Sequence, residues 1–208
     1  MGRFGVVLML SCLAVAVTAK SVEGPVRNRR SGEGFAWSDC GHDPNRPLRV
    51  TSLSMTPSPL TMPGELHVSF GGEVTRELGA SLMMINIQRE SGFSWLMRNV
   101  TVPCIRNIGS CTYPDTCNLI DRMIDEDWLY ISRNVGQQIR QNLVDKGLNT
   151  ACPLQPQQIN IQDMAFQLPA IPRALSLFAG GTYHATVRFL GQANQKELGC
   201  IAMRIIVD

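Results

Sequence analysis

The sequence predicts a mainly β fold, an antiparallel cup or sandwich carrying one helical insert at about 117–148. Three observations predict it. Apolar residues recur at every second position in several separate stretches. Proline and glycine clusters punctuate those stretches. One segment alone switches to spacings of three and four.

The chain begins with a segment outside that pattern. Arg3 precedes a short apolar run, Val6–Val17, and Val17-Thr18-Ala19 offers small residues for cleavage. Residues 1–19 therefore read as a secretory signal peptide, too short to span a bilayer comfortably. Residues 20–30 end in Arg27-Asn28-Arg29-Arg30 and read as a basic propeptide or disordered arm, with Ser31 the expected mature N-terminus. Residues 31–208 read as one domain. Five of the 19 Lys and Arg and one of the 17 Asp and Glu precede Ser31, which turns a chain of net charge +2 into a domain of 14 basic against 16 acidic residues. The domain has no basic excess of the kind that nucleic acid demands. Of seven cysteines, Cys12 leaves with the leader; Cys40, Cys104, Cys111, Cys117, Cys152 and Cys200 remain. An even count behind a leader implies disulfides formed in an oxidising compartment, although six cysteines allow fifteen pairings.

The strands follow in order. Leu66, Val68 and Phe70 alternate with His67 and Ser69; Met83, Ile85 and Ile87 alternate with Met84, Asn86 and Gln88. Val100 and Val102 alternate with Asn99 and Thr101, and Tyr183, Ala185, Val187 and Phe189 with His184, Thr186 and Arg188. Ile201, Met203, Ile205 and Val207 close the chain. Period-two alternation gives each strand one apolar and one wetter face. Between Cys117 and Leu148 apolar residues fall at Ile120, Met123, Ile124, Ile131, Val135, Ile139 and Leu143, an amphipathic helical pattern. Asp125-Glu126-Asp127 suits a helix start and Lys146-Gly147 an end.

Little here suits an enzyme. His67 and His184 fall on the polar phase of their strands, and His42 sits in a turn. Nucleophile elbow, CxxC pair, HExxH and phosphate-cradling loop are all missing, and no metal or cofactor is implied. Apolar material is instead in excess. Hydrophobic residues make up 44% of the chain, with ten methionines, and methionine fills irregular space. Two connections are also apolar: Ser91–Met97, with Phe93, Trp95 and Leu96, and Leu168–Phe178, with Ile171, Leu175, Leu177 and Phe178. Exposed apolar loops mark a partner, a ligand mouth or a membrane contact.

Four stretches resemble one family: Phe35–Cys40, Pro57–Gly64, Ile108–Tyr113 running to Cys117, and Gly180–Tyr183 through Leu198–Ile201. The chain is similar to the ganglioside activators, lipid-presenting cofactors of beta-hexosaminidase in the ML-like lipid-recognition superfamily. The resemblance implies an antiparallel β-cup around an apolar lipid cavity, and the pairs Cys40–Cys200, Cys104–Cys111 and Cys117–Cys152. It implies a cavity lined by Leu66, Val68, Phe70, Met83, Ile85, Ile87, Val100, Val102, Tyr183, Val187, Phe189 and Met203. It also implies a membrane-contact rim of Phe93, Trp95, Leu96, Ile171, Leu175, Leu177 and Phe178. The expected function is a non-enzymatic, secreted or lysosomal carrier that extracts glycosphingolipid or phospholipid from a transiently touched membrane surface and presents it to a beta-hexosaminidase. The alternative is a secreted lipid-sensing module whose Asp121–Leu148 face binds a receptor or another protein. The family's fourth disulfide is missing from the region between Cys117 and Cys152. The sequon Asn99-Val100-Thr101 makes Asn99 the candidate glycosylation site.

Overall fold

Two antiparallel sheets, each with one apolar face, build the molecule. A computed structural model describes residues 34–92, 98–148 and 152–208, for Phe178 the backbone alone. These residues fall within one compact unit, Gly32–Asp208. The segments read as leader and basic arm, and the expected rim residues Phe93, Trp95 and Leu96, lie outside the described residues.

The elements are β1 (Ala36–Asp39), β2 (Leu48–Thr56), β3 (Gly64–Val74), β4 (Ser81–Ser91), β5 (Arg98–Thr101), β6 (Thr112–Tyr113), α1 (Leu119–Glu126), α2 (Ser132–Asp145), β7 (Gln157–Leu168), β8 (Gly181–Gly191) and β9 (Glu197–Val207). One sheet runs β1-β9-β8-β4-β5 with β6 also on β4; the other runs β2-β3-β7. Every pair of named strands is antiparallel. The sheets meet along β2, against β1 and β9. Leu60, in the proline-rich connection after β2, extends that seam: its N–H donates to Ile206 at 2.8 Å and its carbonyl accepts Asp208 N–H at 2.8 Å.

Register assigns the faces. Ile85 lies opposite Val187, and Val187 opposite Ile201; Ile87 lies opposite Ala185, then Met203, then Trp37. In the other sheet Leu53, Phe70 and Ile161 form one row, and Met55, Val68 and Met164 the next. Between those rows β7 carries an extra residue. Asp163 adopts φ +51 and donates its N–H to Ser69 Oγ at 3.0 Å. This bulge shifts the inward phase from Ile159 and Ile161 to Met164, Phe166 and Leu168.

The insert is two helices rather than one. The acidic triplet does not start a helix: Glu126 ends α1, and Asp127 caps its C-terminus at φ 46. The reason is the next residue. Trp128 is buried at 6% exposure, and Asp127, Leu129 and Tyr130 all take left-handed conformations to turn the chain around it. Ser132 Oγ ties the turn, accepting Trp128 N–H at 2.6 Å and donating to Met123 C=O at 2.7 Å. The helices cross where Gly136 meets Met123 and Ile124; a Cβ there would lie 3.0 Å from Ile124 Cγ1. Gly147, at φ 65, stands just past the end of α2, as expected of a C-terminal glycine.

The disulfides pair Cys40 with Cys200, Cys104 with Cys111 and Cys117 with Cys152. The first joins the domain's two ends, the second closes a tight hairpin and the third brackets the insert. No helix among the described residues is long and apolar enough to cross a membrane.

Candidate functional site

The apolar inner faces of the two sheets are less deeply buried than a filled core would make them. In a fully packed sandwich, facing side chains interdigitate and disappear from solvent. Here no large side chain among the described residues falls below 2% exposure. Val68, Phe70, Ile85, Ile87, Val187, Phe189, Ile201, Met203 and Ile205 all sit on the inner faces yet stay only partly buried. Leu53, Leu66, Ile161, Met164, Tyr183 and Ala185 are the more deeply buried members of the same faces.

The two ends of these faces differ. At one end Met83, Cys111, Tyr113 and Trp128 form a buried cluster, with Ile85, Val187, Phe189, Leu119 and Met123 against it. Tyr113 and Trp128 stack with centroids 5.5 Å apart. The insert's tryptophan thus packs against this end of the sheet. Its indole N–H donates to Glu126 Oε2 at 2.6 Å, and Arg122 stands 5.8 Å over the ring while donating to Glu126 Oε1 at 2.7 Å. Those two hydrogen bonds, Arg122's first, hold the Glu126 carboxyl below its usual range; burial pushes the Tyr113 phenol up, with Arg122 opposing. The Cys104–Cys111 hairpin reaches the same cluster, its Asn107 carbonyl accepting Tyr113 O–H at 2.7 Å.

At the other end β4 finishes at Ser91 opposite the start of β8, where the connection from β7 arrives. That connection contains a 3-10 turn, Arg173–Phe178, in which Leu177 is 82% exposed and Leu175 half-buried; Ile171, just before it, is also half-buried. Arg89 braces it from the inner face, donating from Nε to Gly180 C=O at 3.0 Å. Tyr183, opposite Arg89, donates its O–H to the same carbonyl at 3.2 Å, and burial raises its phenol pKa while Arg89 opposes. This end carries the exposed apolar turn and a cation.

Of the predicted interior residues, Leu66, Val68, Phe70, Ile85, Ile87, Tyr183, Val187, Phe189 and Met203 share the inner faces. Met83 belongs to the packed Trp128 cluster instead of open wall. Val102 is buried beside Ile87, its N–H donating to the Ile87 carbonyl at 2.9 Å. Val100 lies opposite Arg89, on the inner phase, but is 46% exposed on a four-residue edge strand with every position exposed. Sequence reasoning missed Trp37, Leu53, Ile161, Met164 and Phe166. For the last three the signal was present as two alternating runs offset by the bulge. The histidine side chains are solvent-exposed, and each has a carboxylate neighbour: His184 with Glu90 at 2.6 Å, His67 with Asp163 at 2.7 Å and His42 with Glu197 at 3.5 Å. The described residues hold no cluster suited to a metal ion.

The ML-domain family model matches residues 34–207. This chain is an ML-domain protein. Among curated relatives, the ganglioside GM2 activator of Mus musculus is 27% identical over 202 residues, covering 97% of this chain and 95% of the relative. The ganglioside GM2 activator of Macaca fascicularis is 26% identical over 168 residues, covering 80% of each. A solved structure of a Niemann-Pick type C2 protein from Japanese carpenter ant is 12% identical, with a TM-score of 0.41, over 83% of this chain and 99% of that one. The ML domain here therefore spans both sheets, the insert and all three disulfides.

Proposed function

We propose that this ML domain is a non-enzymatic lipid carrier, which takes the acyl tails of a glycosphingolipid or phospholipid into the space between its sheets. One observation carries the reading: the inner faces are apolar and only partly buried. Leaving such surface against water is unfavourable by roughly 25 cal/mol per Å², and lipid tails would remove it. Moving a tail from water to such a wall gains ~0.8 kcal/mol per CH₂, whereas moving it from a bilayer is nearly neutral. A carrier built this way loads and unloads reversibly. Ile171, Leu175, Leu177 and Phe178 would touch the membrane, with Phe93, Trp95 and Leu96 completing the rim. The relatives' name, ganglioside GM2 activator, supports a glycolipid cargo and presentation to a glycosidase such as a beta-hexosaminidase. The leader and the disulfides support a secreted or lysosomal setting.

The test is transfer. Protein produced through a secretory pathway is incubated with donor vesicles containing labelled glycosphingolipid or phospholipid, then with acceptor vesicles, and the soluble fraction is analysed by native mass spectrometry. The expected result is a protein–lipid complex and transfer proportional to protein concentration. Unliganded protein and no transfer with either lipid would sink the proposal. A second reading keeps the lipid but gives the insert a protein partner; Tyr130, 85% exposed between the helices, and Val144, 66% exposed on α2, favour it. Tyr130→Ser with Val144→Ser would then abolish partner capture and spare transfer.

A further inference from the structure

The outer face of the six-stranded sheet carries a separate groove of about 510 Å³. It exists because β4 lacks a continuous neighbour on one side. β5 pairs only with Gln88–Ser91, and β6 only with Met83 and Met84. Across the gap Ser110 substitutes for a strand: its Oγ accepts Ile87 N–H at 2.9 Å and donates to Ile87 C=O at 3.2 Å. The groove presents Asn86 and Gln88 from β4, Thr112 from β6, and His184, Thr186 and Arg188 from β8. Asn86 lies opposite Thr186 and Gln88 opposite His184. His184 is held by Glu90 at 2.6 Å. The side chains of Asn86, Gln88, Thr186 and Arg188 have no hydrogen-bond or ion-pair partner among the described residues.

Two primary amides, two hydroxyls and a guanidinium, all beside an apolar Met84, form a particular chemical surface. The amides and hydroxyls both donate and accept, and the guanidinium adds donors. A saccharide matches it, with hydroxyl and acetamido groups that do the same around an apolar ring face. The chain has a source of saccharide at hand. β5 places Asn99 opposite Glu90 and Thr101 opposite Gln88, so the sequon asparagine shares this outer face and stands one strand from the Gln88–His184 end. Asn99 is exposed.

We propose that Asn99 is glycosylated and that its glycan lies along this groove. The link forms when the Asn99 amide nitrogen attacks the anomeric carbon of a lipid-linked oligosaccharide pyrophosphate. A C–N bond forms, the C–O bond to pyrophosphate breaks, and one amide proton is released. The level of Asn86 is about 14 Å along β4 from that of Glu90, within reach of the first few sugars. Gln88 and Asn86 bond the first sugars and Arg188 a later one. The glycan also screens the short β5 edge from pairing with another chain. None of this depends on what the cup holds.

The test compares wild-type protein from mammalian secretory expression with an Asn86→Ser, Gln88→Ser, Arg188→Ser variant, each treated with an amidase that cleaves at the glycan-bearing asparagine. Thr101→Ala marks the site. The expected results are a mass loss for the wild type but not for Thr101→Ala, and native-state cleavage at least about fivefold faster in the groove variant, from the loss of several hydrogen bonds. After denaturation both must be cleaved alike. A wild-type mass unchanged by treatment, or equal native rates for the two proteins, overturns the proposal. Circular dichroism of the groove variant guards against misfolding, and the single variant Arg188→Ser, farthest from β5, repeats the comparison if the triple variant does not fold.

Discussion

The side-chain amide of Gln138, on α2, pairs with the backbone of Gln167, on β7, as a neighbouring strand would. Its Nε2 donates to the Gln167 carbonyl at 3.1 Å and its Oε1 accepts the Gln167 N–H at 2.6 Å. One helical turn on, Asn142 Nδ2 donates to Ala165 C=O at 3.1 Å. Residues four apart on a helix and two apart on a strand have similar spacings, about 6 to 7 Å, so the match repeats. β7 is the edge of the three-stranded sheet, and the insert covers it.

Removing this cover has a defined cost. Gln138→Ala leaves a strand N–H and C=O without their partner, and Gln138→Ala with Asn142→Ala frees a second carbonyl. At about 1 kcal/mol per net hydrogen bond, the double variant loses ~2–3 kcal/mol of stability in urea titration. Gln167 then exchanges its amide hydrogen faster, and the exposed edge promotes self-association. Unchanged exchange at Gln167 would refute the edge-covering role.

Glu126 makes the Trp128 end sensitive to acid. Its carboxyl titrates below the ordinary value of 4.5, because Arg122 and then Trp128 donate to the charged form. A lowered folded-state pKa means the stabilisation is complete above the unfolded value and is lost as pH falls through the folded one. As pH falls from about 5 into the acid range the wild type should therefore lose stability more steeply than Glu126→Gln. Parallel curves of urea midpoint against pH would contradict this.

The disulfides close loops of very different length. By the loop-entropy relation, the 160-residue separation of Cys40 and Cys200 is worth about 5 kcal/mol and the 35-residue separation of Cys117 and Cys152 about 4 kcal/mol. Paired serine variants should rank in that order in urea titration. The second should also release the insert, seen as faster exchange at Trp128. A reversed order would show that strain or residual structure outweighs loop length.

What the sequence reveals depends on whether local pattern and tertiary role agree. β8 was legible because Tyr183, Ala185, Val187 and Phe189 keep an unbroken phase against both neighbours. β7 was not, because the bulge at Asp163 splits its apolar set into two short runs. The insert's helical period was visible, but its division was not. A buried Trp128 forces the break, and its partners Met83 and Tyr113 are remote in sequence. Asp125-Glu126-Asp127 consequently misled, since Glu126 is placed by Trp128 and Arg122 and does not serve the helix dipole. Likewise the apolar phase of the inner faces was legible, whereas the partial exposure of those faces was not. A lined cavity and a filled core demand the same alternation.

Substitution into the interior tells those two apart. Val187 sits mid-sheet between Ile85 and Ile201 and is only partly buried. In a filled core Val187→Trp would be overpacked and cost about 1–3 kcal/mol or more. In an open cup the indole finds room, covers apolar wall and leaves stability unchanged or raised, while the volume left for lipid tails shrinks. Val187→Trp is therefore expected to keep its urea midpoint and lose lipid loading, whereas Leu177→Asp, on the exposed turn, keeps both midpoint and loading from detergent but loses extraction from vesicles. The two variants fail at different steps, one at occupancy and one at membrane contact. A Val187→Trp protein that unfolds early and still loads lipid would reverse the assignment of the interior.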